Sequence, residues 1–177
     1  MSKRNRSRNI ARKKSLNKWM VGIGLLVVVT LAALAYIALT RDNPGKEFGD
    51  LGNEHLESEP TNYIWNSRPP TSGPHAPGIA QWGEHDETVP EWQQIHNLED
   101  GGVILHYNCP TECPEILDEL RDIMNEVGRD DLILEPYLNM DTKIAVTAWT
   151  RLLALDEIDR EQIIDFIEVY RGQDHHR

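Results

Sequence analysis

The sequence predicts an α/β domain that follows a single transmembrane helix. Three observations support this prediction. A basic, acid-free N-terminus leads into a long uncharged run, an apolar β-rich segment follows further along the chain, and an amphipathic helical pattern comes directly after that segment. Because a strand, a helix and a second strand in this order form a βαβ unit, the C-terminal part is predicted to contain a parallel strand pair.

The N-terminal region has the features of a membrane anchor. Residues 1–18, a predicted cytoplasmic tail, hold eight Lys or Arg residues and no acid, and residues 19–40 carry no charge. At about 1.5 Å per helical residue, this run can cross a bilayer core of roughly 30 Å. A cleaved signal peptide is the alternative, since Ala33-Leu34-Ala35 resembles a cleavage site, but the run exceeds the usual apolar core of about 7–15 residues.

The charge distribution predicts the orientation of the chain. Lys and Arg stay on the cytoplasmic side, so residues 41–177 are predicted to lie outside the cell membrane. That part has 10 basic residues against 29 acidic ones, a net charge of −19. Such a charge disfavours nucleic acid and anionic lipid as binding partners. The expected partners are the membrane, through the anchor, and a protein recipient of a metal ion.

The outer part divides by composition into a tether, a domain and a short tail. Residues 41–60 are polar and lack apolar periodicity, which predicts a tether. The domain is predicted over residues 61–173 and the tail over 174–177. Within the domain, residues 61–92 are rich in proline and glycine, which excludes long regular elements there. The tryptophans Trp65, Trp82 and Trp92 in this stretch require burial, either in the core or at a partner surface.

Regular structure is predicted from about Trp92 onward. Pro114 suits the first helical position, and Gly128 suits a helix end. Asp159 followed by Gln162 is a capping-box pattern for a last helix that ends at Gly172. The predicted order is β-α-β-β-α: a strand at Val103–Tyr107, a helix from Pro114 to Gly128, strands at Leu132–Leu134 and Lys143–Trp149, and the last helix.

The two cysteines, Cys109 and Cys113, are the main candidates for chemistry. They lie between the predicted strand and the helix that Pro114 opens, where the helix N-terminus stabilises thiolates. Such a pair can form a structural disulfide, bind a soft metal ion such as Cu(I) or Zn(II), or act as a redox-active dithiol. A metal site needs more ligands than two sulfurs.

Histidines upstream of the cysteines could supply those ligands. His75 lies in the stiff segment 69–75, His96 precedes the strand, and His106 lies within it. His85 is flanked by acidic residues and is expected to be solvated. Glu99 and Asp100 beside His96 also suggest a carboxylate–histidine pair for proton transfer, although the favoured interpretation is that Asp100-Gly101-Gly102 makes a tight turn into the strand. No nucleophile elbow, phosphate-binding glycine loop or zinc-protease motif is present, so hydrolase and nucleotide functions have no support.

Three motifs resemble those of a bacterial family of unknown function with an N-terminal membrane anchor and a small extracytoplasmic domain. They are Pro69-Pro70-Thr71-Ser72-Gly73-Pro74-His75, then Ile95-His96-Asn97-Leu98-Glu99-Asp100-Gly101-Gly102-Val103, then Thr147-Ala148-Trp149 followed by Arg151. The resemblance covers about Asn62 to Gly172 and implies location and domain limits, without an activity. Members commonly have a histidine where this chain has Asp100.

The segment Cys109-Pro110-Thr111-Glu112-Cys113-Pro114 is similar to the C-P-x-x-C-P segment of Sco-type copper chaperones, which are membrane-anchored and thioredoxin-like. The resemblance implies an abbreviated thioredoxin-like core and copper binding by the two cysteines with a histidine. The downstream histidine of that family has no counterpart between Cys113 and His175, so the copper ligand would come from His75, His96 or His106.

The leading prediction is soft-metal binding, with copper as the ion, by Cys109 and Cys113 plus one or two upstream histidines. Thiol–disulfide exchange by the same pair is the enzymatic alternative. An anchored interaction module with a structural disulfide is the non-catalytic one.

Overall fold

The computed structural model describes residues 19–33, 35–36, 43–109 and 111–176. The chain divides into two compact units, residues 1–42 and 43–177. In the first unit, residues 19–33 and 35–36 are helical. Among the described residues, no helix has both the length and the apolar character needed to cross a membrane. The basic tail, 1–18, and part of the predicted anchor, 19–40, lie outside the described residues.

The second unit contains a mixed six-stranded sheet with the strand order β1-β6-β5-β3-β4-β2. The pairs β3–β4 and β2–β4 are parallel, and the pairs β3–β5, β5–β6 and β1–β6 are antiparallel. The strands are β1 (Lys46–Glu47), β2 (Gly83–Glu84), β3 (Val103–Tyr107), β4 (Leu132–Pro136), β5 (Ile144–Ala148) and β6 (Arg151–Leu155). The helices of this unit are α1 (Glu91–Glu99), α2 (Pro114–Val127) and α3 (Arg160–Tyr170).

Both faces of the sheet are buried. Successive residues of a strand point to opposite faces, so each central strand contributes side chains to two apolar layers. Leu105 in β3 packs in the larger apolar layer, which also holds Leu120 of α2 and Phe166 of α3. Ile104, its neighbour, packs in a second layer with Leu98 of α1. The helix α1 and the loops before it therefore cover one face of the central strands, and α2 and α3 cover the other.

The α/β class is confirmed, and the parallel pair β3–β4 around α2 has the predicted order. The thioredoxin-like interpretation stays a prediction. The structure adds the strand β6 and the helix α1, which the sequence pattern did not indicate. It also places part of the predicted tether on the sheet, since Lys46 of β1 pairs with Leu152 of β6. Trp65 and Trp82 pack against the second apolar layer, as the core alternative predicts.

Candidate metal centre

The helix α1 supplies two side chains of the site, His96 and Glu99. Residues three apart lie on the same face of a helix, so these two side chains point in one direction. Both side chains are buried, and Glu99 has no exposed surface. The helix is fixed to the preceding loop, because the Ala76 N–H donates to the Trp92 carbonyl at 2.9 Å.

A short parallel pairing of two loops brings His55 beside His75. The Leu56 N–H donates to the His75 carbonyl at 2.7 Å, and the His75 N–H donates to the Glu54 carbonyl at 2.9 Å. The two rings meet edge-on, with centroids 4.7 Å apart. His55 also stacks on His96, with centroids 4.9 Å apart. Three imidazoles from three parts of the chain therefore converge on the end of α1.

Backbone carbonyls set the tautomers of His75 and His96. The Nδ1 atom of His75 lies 2.7 Å from the Gly73 carbonyl, and Nδ1 of His96 lies 2.7 Å from the Ala76 carbonyl. A carbonyl oxygen only accepts hydrogen bonds, so each Nδ1 carries the proton and donates it. In the neutral ring, Nε2 is then left with its lone pair facing the cluster. Second-shell oxygens orient metal-binding histidines in the same way.

The Glu99 carboxylate lies at the centre of the cluster. Its Oε1 accepts a hydrogen bond from Asn53 Nδ2 at 2.7 Å. Its Oε2 lies 3.0 Å from His75 Nε2, 3.4 Å from His55 Nε2 and 3.3 Å from His176 Nε2. Burial opposes ionisation of Glu99, but the hydrogen bond from Asn53 and the neighbouring histidines hold its pKa below the ordinary value. The group is therefore a carboxylate.

His75 is fully buried, and this burial lowers its pKa below the ordinary value of a histidine. Its Nε2 lies 3.0 Å from a Glu99 oxygen, so the two atoms meet either through a proton, as a hydrogen bond, or through a metal ion. The His75–Glu99 contact can therefore hold a metal cation in place of that proton.

The distances within the cluster match those between the ligands of a metal ion. One ligand atom each from His55, His75, His96 and Glu99 lies within 4.8 Å of the other three. A tetrahedral ion with bonds of about 2.0–2.1 Å holds its ligand atoms about 3.3 Å apart. The distances of 3.0 and 3.4 Å from Glu99 to His75 and His55 lie close to that value. We call these four residues the inner group.

A second set of ligands, which we call the outer group, consists of His96, Asp100 and His176. Their ligand atoms also lie within 4.8 Å of one another. The Asp100 carboxylate lies 3.7 Å from His96 Nε2 and 3.5 Å from His176 Nε2. His176 Nδ1 donates to Asp174 at 2.8 Å, and this hydrogen bond raises the pKa of His176. The two groups share His96.

The C-terminal segment reaches the site because it docks along the end of α1. The Gly172 N–H donates to the Gly101 carbonyl at 2.8 Å, and the His175 N–H donates to the Glu99 carbonyl at 2.9 Å. Gly101 has a φ of +84°, and a Cβ there would lie 2.8 Å from the backbone of Gln173. Only glycine adopts this conformation and leaves room for the docked chain.

The predicted ligands separate into three places. The structure brings His75 and His96 together, whereas Cys109 and Cys113 form a disulfide at the start of α2. Among the described residues, no group with metal-binding spacing contains a cysteine. His106 is buried in the sheet, where its Nδ1 lies 2.9 Å from Glu135 and its Nε2 lies 2.9 Å from Thr147 Oγ1. The metal-ligand role predicted for Cys109, Cys113 and His106 stays a prediction.

Sequence reasoning missed His55 and His176 as candidate ligands. His55 lies in the segment interpreted as a tether, and no local pattern marks it, since its position depends on backbone pairing with His75. His176 lies in the predicted terminal tail. Its spacing from Asp174, two residues before it, is the one local signal of an oriented imidazole. Asp100, interpreted as part of a turn or of a carboxylate–histidine pair, is a member of the outer group.

Replacing both Cys109 and Cys113 by serine tests whether sulfur takes part in metal binding. We expect the double variant to keep the parent's metal stoichiometry, because the inner group contains neither residue. Closing so short a loop is expected to contribute about 2 kcal/mol to stability. Metal analysis and urea denaturation would measure both effects. Loss of the bound ion in the variant would support the cysteine site instead.

No curated protein and no solved structure matches this chain. A family profile described as "Protein of unknown function (DUF3105)" matches residues 55–177. The matched range begins at His55 and contains every residue of the inner and outer groups. The chain therefore belongs to the DUF3105 family.

Proposed function

We propose that this domain binds one divalent transition metal ion, Zn²⁺ or Cu²⁺, through His55, His75, His96 and Glu99. The observation that carries the proposal is the convergence of four ligand atoms, one from each residue, within 4.8 Å of one another, with His75 and Glu99 fully buried. A metal ion between His75 Nε2 and the Glu99 carboxylate would replace the proton that these two atoms can share.

The donor atoms favour particular ions. Imidazole suits zinc, copper, iron and nickel, whereas soft thiolates select Cu(I). Three imidazoles with one carboxylate therefore favour copper in its divalent state, or zinc. All four ligands come from the protein, which is typical of an ion that is held rather than one that activates a substrate. The proposed role is to hold a metal ion and pass it to a protein recipient.

The proposal also places the site outside the cell membrane, behind a single-pass anchor at residues 19–40. The basic, acid-free segment 1–18 and the uncharged run after it support this location. The net charge of −19 on the outer part attracts metal cations and repels nucleic acid. Reactivity of the helix-end disulfide with glutathione buffers would test the alternative, thiol–disulfide exchange.

The direct test is metal stoichiometry. The full chain would be stripped with EDTA and titrated separately with Zn²⁺ and Cu²⁺ against a chelator of known affinity. We expect one tightly bound ion per chain. His55→Ala is expected to weaken binding at least about 100-fold, because loss of a ligand costs more than the roughly 10–100-fold lost with a second-shell partner. His55 suits this test because its side chain is 43% exposed and its removal leaves no buried cavity.

His75→Ala provides an independent second variant, with circular dichroism to verify folding. His85→Ala is the matched control, since His85 is partly exposed and belongs to neither ligand group. It should bind like the parent. A parent chain that binds no stoichiometric ion, or a His55→Ala variant with the parent's affinity, would disprove the proposal.

A further inference from the structure

The inner and outer groups share His96 but cannot share it at the same moment. The Nδ1 of His96 donates to the Ala76 carbonyl, so Nε2 is the one nitrogen that can bind a metal ion. A single nitrogen lone pair binds one ion. An ion bound to the outer group through His96 and an ion bound to the inner group through His96 are therefore alternatives.

The two groups differ in their access to solvent. In the outer group, the side chains of His176 and Asp100 are 45% and 31% exposed. In the inner group, the His55 side chain is 43% exposed, but the side chains of His75 and Glu99 are fully buried. An ion arriving from solvent can therefore reach Asp100 and His176 before it reaches the buried pair, and Asp100 is the anionic side chain among the exposed ligands. The Asp100 carboxylate is the acidic ligand on the solvent side of His96.

A ligand atom of the outer group lies as close to a ligand atom of the inner group as two ligands of one metal ion lie to each other. His176 Nε2 lies 3.3 Å from the Glu99 oxygen that faces His75. This distance equals the separation of about 3.3 Å between two ligands of one tetrahedral ion. An ion can thus exchange His176 for Glu99 as a ligand while it stays bound to His96.

Contacts other than the ligand atoms hold the outer group in place. Backbone hydrogen bonds fix the C-terminal segment to Glu99 and Gly101, and His175 stacks on Trp149 with ring centroids 5.9 Å apart. Asp174 accepts the Nδ1 proton of His176, which directs Nε2 toward Asp100 and Glu99. The terminal imidazole is therefore positioned before an ion arrives.

We infer that Asp100, His176 and His96 form an entry site that loads the inner group by ligand exchange. The inference rests on the proposed function. The ion first binds Asp100, His176 and His96, and any proton on His176 Nε2 is released to water. The bonds to Asp100 and His176 then break as bonds to Glu99, His75 and His55 form. Any proton held between His75 Nε2 and Glu99 is released to water as well. The bond to His96 persists throughout, and the oxidation state of the ion does not change.

The test separates rate from equilibrium. His176→Ala and Asp100→Ala would be prepared in the full chain, with His85→Ala as the control. Zn²⁺ uptake by EDTA-stripped protein, and Zn²⁺ release to a chromophoric chelator, would be followed by stopped flow. We expect both rates to fall at least about tenfold in the two variants. The stoichiometry stays at one ion per chain, and the control keeps the parent's rates.

Each outcome decides the inference. Unchanged uptake and release rates in both variants would overturn it. Loss of the bound ion from His176→Ala would also overturn it, by making His176 a permanent ligand, and would leave the proposed function intact. Two ions per parent chain would show two independent sites and overturn it as well. A parent chain that binds no ion at all is the separate failure of the proposed function.

Discussion

Glu99→Gln is expected to lower the affinity for Zn²⁺ at least about 1000-fold. Glu99 is the one anionic residue of the inner group, and its side chain has no contact with solvent. At an effective dielectric constant of about 20, a divalent ion and a carboxylate at bonding distance attract each other by well over 4 kcal/mol, which corresponds to a 1000-fold change in affinity. Glutamine keeps the shape of the side chain and removes this attraction.

The same substitution is expected to leave the metal-free protein at least as stable as the parent. The amide oxygen of glutamine can accept the hydrogen bond that Asn53 donates to Glu99. The amide nitrogen can donate to Nε2 of neutral His75, which lies 3.0 Å from Oε2 in the parent. The variant therefore keeps a hydrogen bond at both positions and removes a buried charge.

Urea denaturation with EDTA and with excess Zn²⁺ would measure both effects. At a free Zn²⁺ concentration about 100 times Kd, the parent should gain about 2.7 kcal/mol of stability, and Glu99→Gln should gain none. Glu57→Gln, an exposed glutamate, is the matched control and should behave as the parent. The contrary outcome is a metal-free variant that loses about 3 kcal/mol or more, as expected for a buried His75–Glu99 ion pair.

The elements with strong local signals were predictable from the sequence. The β-rich segment Val103–Tyr107 and the helix that opens at Pro114 follow from patterns that a short window contains. The turn before β6 carries no such signal, because Thr150 adopts a φ of +60° without being glycine or asparagine. The helix α1 is largely polar, with Ile95 and Leu98 as its fully buried apolar residues, so its helical period is weak.

Part of the candidate site could be predicted from local sequence, for a related reason. His75 and His96 lie in distinctive segments, and their selection as candidate ligands needed only local sequence. Their partner His55 is positioned by a pairing between loops 20 residues apart, and His176 by hydrogen bonds from the chain end to α1. Neither contact leaves a periodic pattern. The cysteine pair drew attention through its chemistry, although its position at the start of α2 places it in a different part of the fold.

Glu135→Ala is expected to destabilise the domain by about 3 kcal/mol, because it leaves a buried N–H without its acceptor and opens a cavity in the core. Glu135 and His106 lie side by side on the parallel strands β4 and β3, and both are fully buried. The Glu135 carboxylate lies 2.9 Å from His106 and accepts a hydrogen bond from the Val89 N–H at 2.7 Å. Alanine removes the acceptor of Val89 and the group that packs beside His106.

Glu135→Gln should cost less, about 1–2 kcal/mol, because its amide oxygen still accepts from Val89. Urea denaturation of the metal-free chains would give these values. Glu126→Ala is the control: its carboxylate is 56% exposed and pairs with Arg160 at the surface, where a salt bridge contributes little to stability. Metal stoichiometry should stay at one ion per chain in folded Glu135→Gln. A loss of ion binding in Glu135→Gln would instead assign His106 and Glu135 to the metal centre. A cost below about 1 kcal/mol for Glu135→Ala would show that the pair contributes little to the stability of the fold.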